Sequence, residues 1–165
     1  MTTLIPTLLA EFDAEMRTTR SLLERVPFDN ATWKPHAKST SLGNLASHIA
    51  NIPTLGKAIA ELPERDFQDG KATPAKTYAS IDEVLAAFDA NVASTRTAIA
   101  AVPESALGDS WTLRRGDHVI MQLPKAAALR SLLMNHIIHH RGQLSVYLRL
   151  NDVPLPSIYG PTADT

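Results

Sequence analysis

Four long segments repeat their apolar residues at helical spacing, and Pro, Gly and polar residues crowd the gaps between them. A chain built this way must bury each apolar stripe against another helix. The first segment runs from about Thr3 to Arg25, with Leu8, Phe12, Thr19, Leu23 and Val26 on one face, until Pro27 and the stretch DNATWKPHAKSTS interrupt it. The second starts near Ser41, a good N-cap, and carries Leu45, His48, Ile49, Ile52, Leu55 and Ile59 to about Leu62, with a bend expected at Pro53. Residues 63–79 read as a long polar loop. The third segment opens with Ser80-Ile81-Asp82-Glu83, a capping box, and ends near Pro103. Between Ser110 and Leu123 the pattern changes: Trp111, Leu113, Val119 and Met121 flank Arg115-Gly116-Asp117, as in a small β-hairpin. Pro124 suits the first turn of a fourth helix reaching about Leu150, and a proline-rich tail follows. The expected fold is all-α, a four-helix bundle with a small β-hairpin inserted before the last helix. The long loop and the hairpin allow at least one crossover connection.

The 165 residues suit one domain, 1–165, and a chain of that length buries ~70% of its unfolded surface without disulfides. Cysteine is absent, which excludes thiolate metal sites and a nucleophilic or redox cysteine. Sixteen basic and 17 acidic side chains leave a net charge of −1, so no basic field would draw the chain to nucleic acid. The N-terminal apolar stretch is short, is broken by Pro6, lacks preceding basic residues and runs into Glu11 and Asp13, unlike a signal peptide. No run of about 20 apolar residues is present to span a bilayer. A cytoplasmic protein with neither membrane nor nucleic-acid partners is the expectation.

The chemistry lies in the histidines. On the fourth helix His136 and His140 sit one turn apart and share an arc with Leu133, Ile137, Leu144 and Leu148. Imidazoles at i and i+4 can meet one metal ion. His48 lies within the stripe of the second helix, which a bundle core would turn toward the fourth. Taken singly, each is an ordinary core or rim residue. Three together are different, because protonating neighbouring imidazoles in an apolar setting is costly, whereas a divalent cation binds their neutral nitrogens. Three His ligands also leave a position open for water or substrate. His139 falls at the polar edge of the arc and is the weaker candidate, for a catalytic or supporting role. His36 and His118 read as surface residues. No HExxH is present to supply a metalloprotease base, and no carboxylate-plus-ExxH set supports a di-iron bundle.

The runs NHIIHHRGQLSVYLR and SLGNLASHIANI, with the tail VPLPSIYGPTADT, resemble the DinB/YfiT-like family of metal-dependent enzymes, which is distinct from the translesion polymerase of similar name. The resemblance covers nearly the whole chain. It implies a four-helix bundle, a metal held by His48, His136 and His140, and a homodimer. Members of the broader superfamily include thiol-dependent S-transferases and a thiol-dependent isomerase. The expected cofactor is one divalent ion, with Zn²⁺ or Ni²⁺ ahead of Fe²⁺ or Mn²⁺.

The expected activity is a metal-dependent transferase or hydrolase acting on a small molecule. A metal-bound water or low-molecular-weight thiol would be the nucleophile, and any sulfur must come from a cosubstrate. Asn44, Asn51 and Asn135 are candidates to orient the imidazoles. Arg141, read beside the polar face, could pin an anionic substrate or form a surface ion pair. Trp111 and Tyr159 could line a pocket or pack as lids. The alternative is a non-catalytic dimeric metal-binding module, in which the ion cross-links two helices and Met134 and Ile138, pointing away from the main arc, meet a partner. A DNA-binding regulator lacks a basic stripe and a recognition helix.

Overall fold

Helix α1 spans Leu4–Leu23 and buries Ile5, Leu8, Phe12, Met16, Leu22 and Leu23. In the computed structural model, which describes residues 3–68 and 76–165, its neighbours are α4 (Ile81–Ala100) and α6 (His136–Arg149). The second helical segment is two helices, α2 (Leu42–Asn51) and α3 (Pro53–Glu61). They pack on α4 and on the last helical rod, diagonally across from α1. Consecutive rods in an up-down-up-down bundle are neighbours, so this arrangement contains the crossover that the loop lengths allow.

Local chemistry explains the boundaries. Ser41 caps α2 by accepting from the Asn44 amide at 3.3 Å. Pro53 has no N–H to continue the ladder, so the helix breaks there and restarts with Pro53 in its first turn. Two side chains of α4 reach carbonyls beside the break: Asn91 donates to Ala50 at 2.9 Å and Thr95 to Pro53 at 2.7 Å. The break is therefore satisfied internally rather than left to water. At the start of α4 the Ser80 hydroxyl accepts from the Glu83 amide at 3.2 Å, and the Glu83 carboxylate accepts from the Ala79 amide at 3.1 Å. The capping box is thus present, with its return bond one residue early.

The hairpin forms as expected, with β2 (Ser110–Arg115) and β3 (His118–Pro124) antiparallel about Gly116, whose φ is +56°. A third strand was not expected: β1 (Glu64–Asp66) pairs parallel to β2. Most of the described part of the predicted 63–79 loop is therefore docked on the sheet or on α2, and residues 69–75 lie outside the described residues. The Asp66 carboxylate accepts from the Gln68 and Gly116 amides, which ties this strand to the hairpin turn and holds the carboxyl below its usual range.

The last rod is not one α-helix. A short α5 (Lys125–Ala128) leads into a π-helical stretch, Leu129–Asn135, and α-geometry resumes at His136. A π turn holds more residues than an α turn, so a single 100° periodicity cannot be carried through it. The buried face of α6 is Ile137, Arg141, Leu144, Tyr147 and Leu148. Met134 is fully buried and Ile138 packs partly buried against the core, so the expected partner-facing surface from these two residues is absent.

Arg141 corrects the sequence reading most sharply. It is 1% exposed rather than beside the polar face. Its guanidinium pairs with Glu15 of α1 at 2.6 Å, donates to the Glu15 carbonyl at 3.1 Å and to the Tyr159 hydroxyl at 2.5 Å. The Tyr159 hydroxyl in turn donates to the Glu15 carboxylate at 2.9 Å, fastening the C-terminal tail over α1 and α6. A buried ion pair resists the loss of one partner far more than the loss of both. Arg141→Met and Glu15→Leu are each expected to destabilise by about 3–5 kcal/mol, and the double variant to recover most of that loss in urea unfolding. Additive losses in the double variant would contradict the ion-pair reading.

Candidate metal site

His48 on α2 and His136 and His140 on α6 come together where these two helices face each other. One ring nitrogen from each lies within 4.8 Å of the others. The Nε2 atoms of His48 and His136 are 3.3 Å apart. Ring centroids are 5.2 Å apart for His48–His136, 4.5 Å for His48–His140 and 4.8 Å for His136–His140. Four-coordinate zinc with Zn–N bonds of about 2.0–2.1 Å separates its nitrogen donors by about 3.3 Å, so His48 and His136 already have ligand spacing. The donor set is three neutral imidazoles, among the described residues no carboxylate joins it, and its chemistry fits a borderline divalent ion. A histidine-based site able to coordinate a metal ion is therefore present.

All three histidines are half-buried, at the rim of the core rather than inside the stripe that sequence spacing indicated. Each helix has its own reason. On α2 the fully covered positions include Leu42, Leu45, Ala46, Ser47, Ile49 and Ala50, with His48 beside them. On α6 the π stretch displaces the arc, so that Ile137 and Arg141 take its centre and His136 and His140 its α2-facing edge. Such a position shields the nitrogens partly while leaving one side reachable from solvent.

The electrostatics favour neutral rings. Burial, then the proximity of His140 and His136, lowers the His48 pKa to about 4. Burial also lowers His136, reinforced by His140 and His139 and opposed by the Leu132 carbonyl. His140 is lowered by burial and by His139, against a raising hydrogen bond from Gln143. Neutral imidazole is the form that binds metal.

The remaining sequence candidates fall elsewhere. His139 is exposed, its ring 4.9 Å from that of His140. His36 and His118 are exposed, as expected. Asn44 and Asn135 are exposed, and neither bonds to a histidine. Asn51 donates to the Ser47 and Lys76 carbonyls at 2.8 Å and accepts from the Tyr78 hydroxyl at 2.9 Å. The side chain that does meet a ring is Gln143, whose Oε1 lies 2.7 Å from His140 Nδ1. Its i, i+3 spacing from His140 was the available signal. Trp111 is wholly buried and packs in the core, so its ring faces no open pocket. Arg141 is turned toward α1, and Tyr159 is 72% exposed with its hydroxyl held by Glu15 and Arg141. Two surface clefts, of about 280 and 240 Å³, are lined around Lys125 and Val102 and around Phe88 and Arg17, and contain none of the histidines.

A helical bundle that gathers three imidazoles across two facing helices defines a histidine-cluster protein with a site able to coordinate a metal ion. The sequence profile of the DinB family matches residues 1–164, and the chain belongs to that family. Two solved structures share the fold. A DinB-like protein from Bacillus subtilis is 20% identical, with a TM-score of 0.70 over 94% of this chain and 99% of that one. A DinB-like protein from Bacillus cereus is 19% identical, with a TM-score of 0.71 over 96% of this chain and 100% of that one. No curated protein sequence matches the chain significantly.

The depressed histidine pKa values make a pH prediction for the metal-free protein. Between about 6.5, the ordinary histidine value, and about 4, the unfolded chain binds more protons at position 48 than the folded one. Stability is therefore expected to fall as pH drops through that window. Thermal unfolding of the metal-free protein at pH 7 and pH 5 should show a larger decrease in Tm than for His48→Gln. Equal decreases would contradict the assignment.

Proposed function

We propose that the protein is a metal-dependent transferase or hydrolase of small molecules, with His48, His136 and His140 as the metal ligands. The observation that carries this reading is the convergence of three neutral imidazoles within 4.8 Å at a half-buried rim. A structural site closes its coordination shell with protein groups, whereas three donors at a solvent-reachable edge leave room for an exogenous molecule. Family membership supports the same reading.

The divalent ion, Zn²⁺ or Ni²⁺ before Fe²⁺ or Mn²⁺, supplies Lewis acidity that makes a water or low-molecular-weight thiol nucleophilic near neutral pH. The chain's own residues do the rest. The burial of α2 and α6 keeps the three rings unprotonated and fixes their separation. His139, exposed beside His140, is the side chain placed to exchange protons between the site and bulk water. With no cysteine in the chain, a thiol nucleophile arrives as a cosubstrate. Among the described residues no helix is long and apolar enough to cross a membrane. A cytoplasmic setting and a homodimeric assembly belong to this proposal on family resemblance alone.

Elemental analysis of tag-free protein beside His48→Ala and His136→Ala tests the ligand set. About one equivalent of metal per chain is expected, lost from both variants, with thiol-transfer or hydrolytic turnover lost at the same time. Retained metal in either variant would overturn the assignment. Loss of metal with a large drop in Tm, and no turnover in the loaded parent, would favour the non-catalytic cross-linking module instead.

A further inference from the structure

We infer that Gln143 is a positioning residue for the histidine site, holding His140 in the tautomer that presents its Nε2 lone pair to the ion. This rests on the ligand assignment above. A neutral imidazole carries its proton on one nitrogen, and the hydrogen bond made by that nitrogen decides which one. In this structure His140 Nδ1 lies 2.7 Å from Gln143 Oε1. A carbonyl oxygen only accepts, so Nδ1 carries the proton and donates. The Nε2 atom is then bare, and it is the remaining donor atom His140 can turn toward His48 and His136.

The two other ligands are held differently. His48 and His136 approach each other through Nε2, and burial by α2 and α6 confines both rings. His136 also has the Leu132 carbonyl near its ring, exerting the pull expected of a hydrogen-bond acceptor. Among the described residues the partner of the His140 ring is instead the exposed Gln143 side chain. An exposed glutamine holding a half-buried ring, one helical turn away, does little for the core. Its consequence falls on the orientation and proton placement of that ring.

Two measurements test the inference, one of which requires no metal. Long-range ¹⁵N–¹H NMR of the metal-free protein at pH 7.5 should show His140 as the Nδ1–H tautomer, and Gln143→Ala should shift it toward Nε2–H. Chelator competition with Zn²⁺ should show affinity about 10–100-fold weaker in Gln143→Ala, with Gln143→Glu, which keeps the accepting oxygen, restoring it. The Tm of the metal-free variants should match the parent. An Nε2–H tautomer in the parent, or Zn²⁺ affinity in Gln143→Ala within twofold of the parent, would overturn the inference. A parent that binds no Zn²⁺ overturns the ligand assignment instead, and the tautomer measurement still decides the role of Gln143.

Discussion

The approach of His48 to His136, 3.3 Å between Nε2 atoms, excludes a charge on both rings at once. Two imidazolium ions at that distance would repel strongly, and burial has already made each proton costly. The packing of α2 against α6 therefore favours neutral rings in the cluster, and neutral imidazole is the form that binds a divalent ion. Much of the architecture supports that contact. Ser41 and Pro53 define the ends of α2, Asn91 and Thr95 tie its break to α4, and the π stretch sets the phase at which His136 enters α6. On the far side, Arg141 and Glu15 join α6 to α1, so the helix that carries two of the histidines is held from both flanks.

Much of this was legible from residue spacing. The four apolar stripes, the Ser41 and Ser80 caps and the Arg115-Gly116-Asp117 turn are local signals, and each element appears where its signal lies. The three histidines were selected by the same arithmetic. What stayed hidden depends on contacts between segments distant in sequence. The pairing of β1 with β2 joins residues about fifty positions apart, and nothing in Glu64-Arg65-Asp66 resembles an apolar strand. The π stretch has no residue signature in LRSLLMN, and it moved the buried arc of the last helix toward Arg141. Arginine on a helix normally reads as solvent-facing, and only its partners Glu15, 126 positions before it, and Tyr159, 18 positions after it, explain its burial.

The same displacement bears on function. Had the histidines occupied the centre of the stripe, an ion among them would have been enclosed and confined to a structural role. At the edge, half-buried, they keep a dry side toward the core and an open side toward solvent. Of the exposed residues beside them in sequence, Gln143 bonds to His140 and the His139 ring lies 4.9 Å from that of His140.

The most direct test of the central claim is X-ray absorption spectroscopy of the zinc-loaded protein. The account predicts three imidazole nitrogens at about 2.0–2.1 Å and at least one ligand not supplied by the chain, exchangeable on adding a small thiol. A shell closed entirely by protein groups, or one with fewer than three imidazoles, would contradict it.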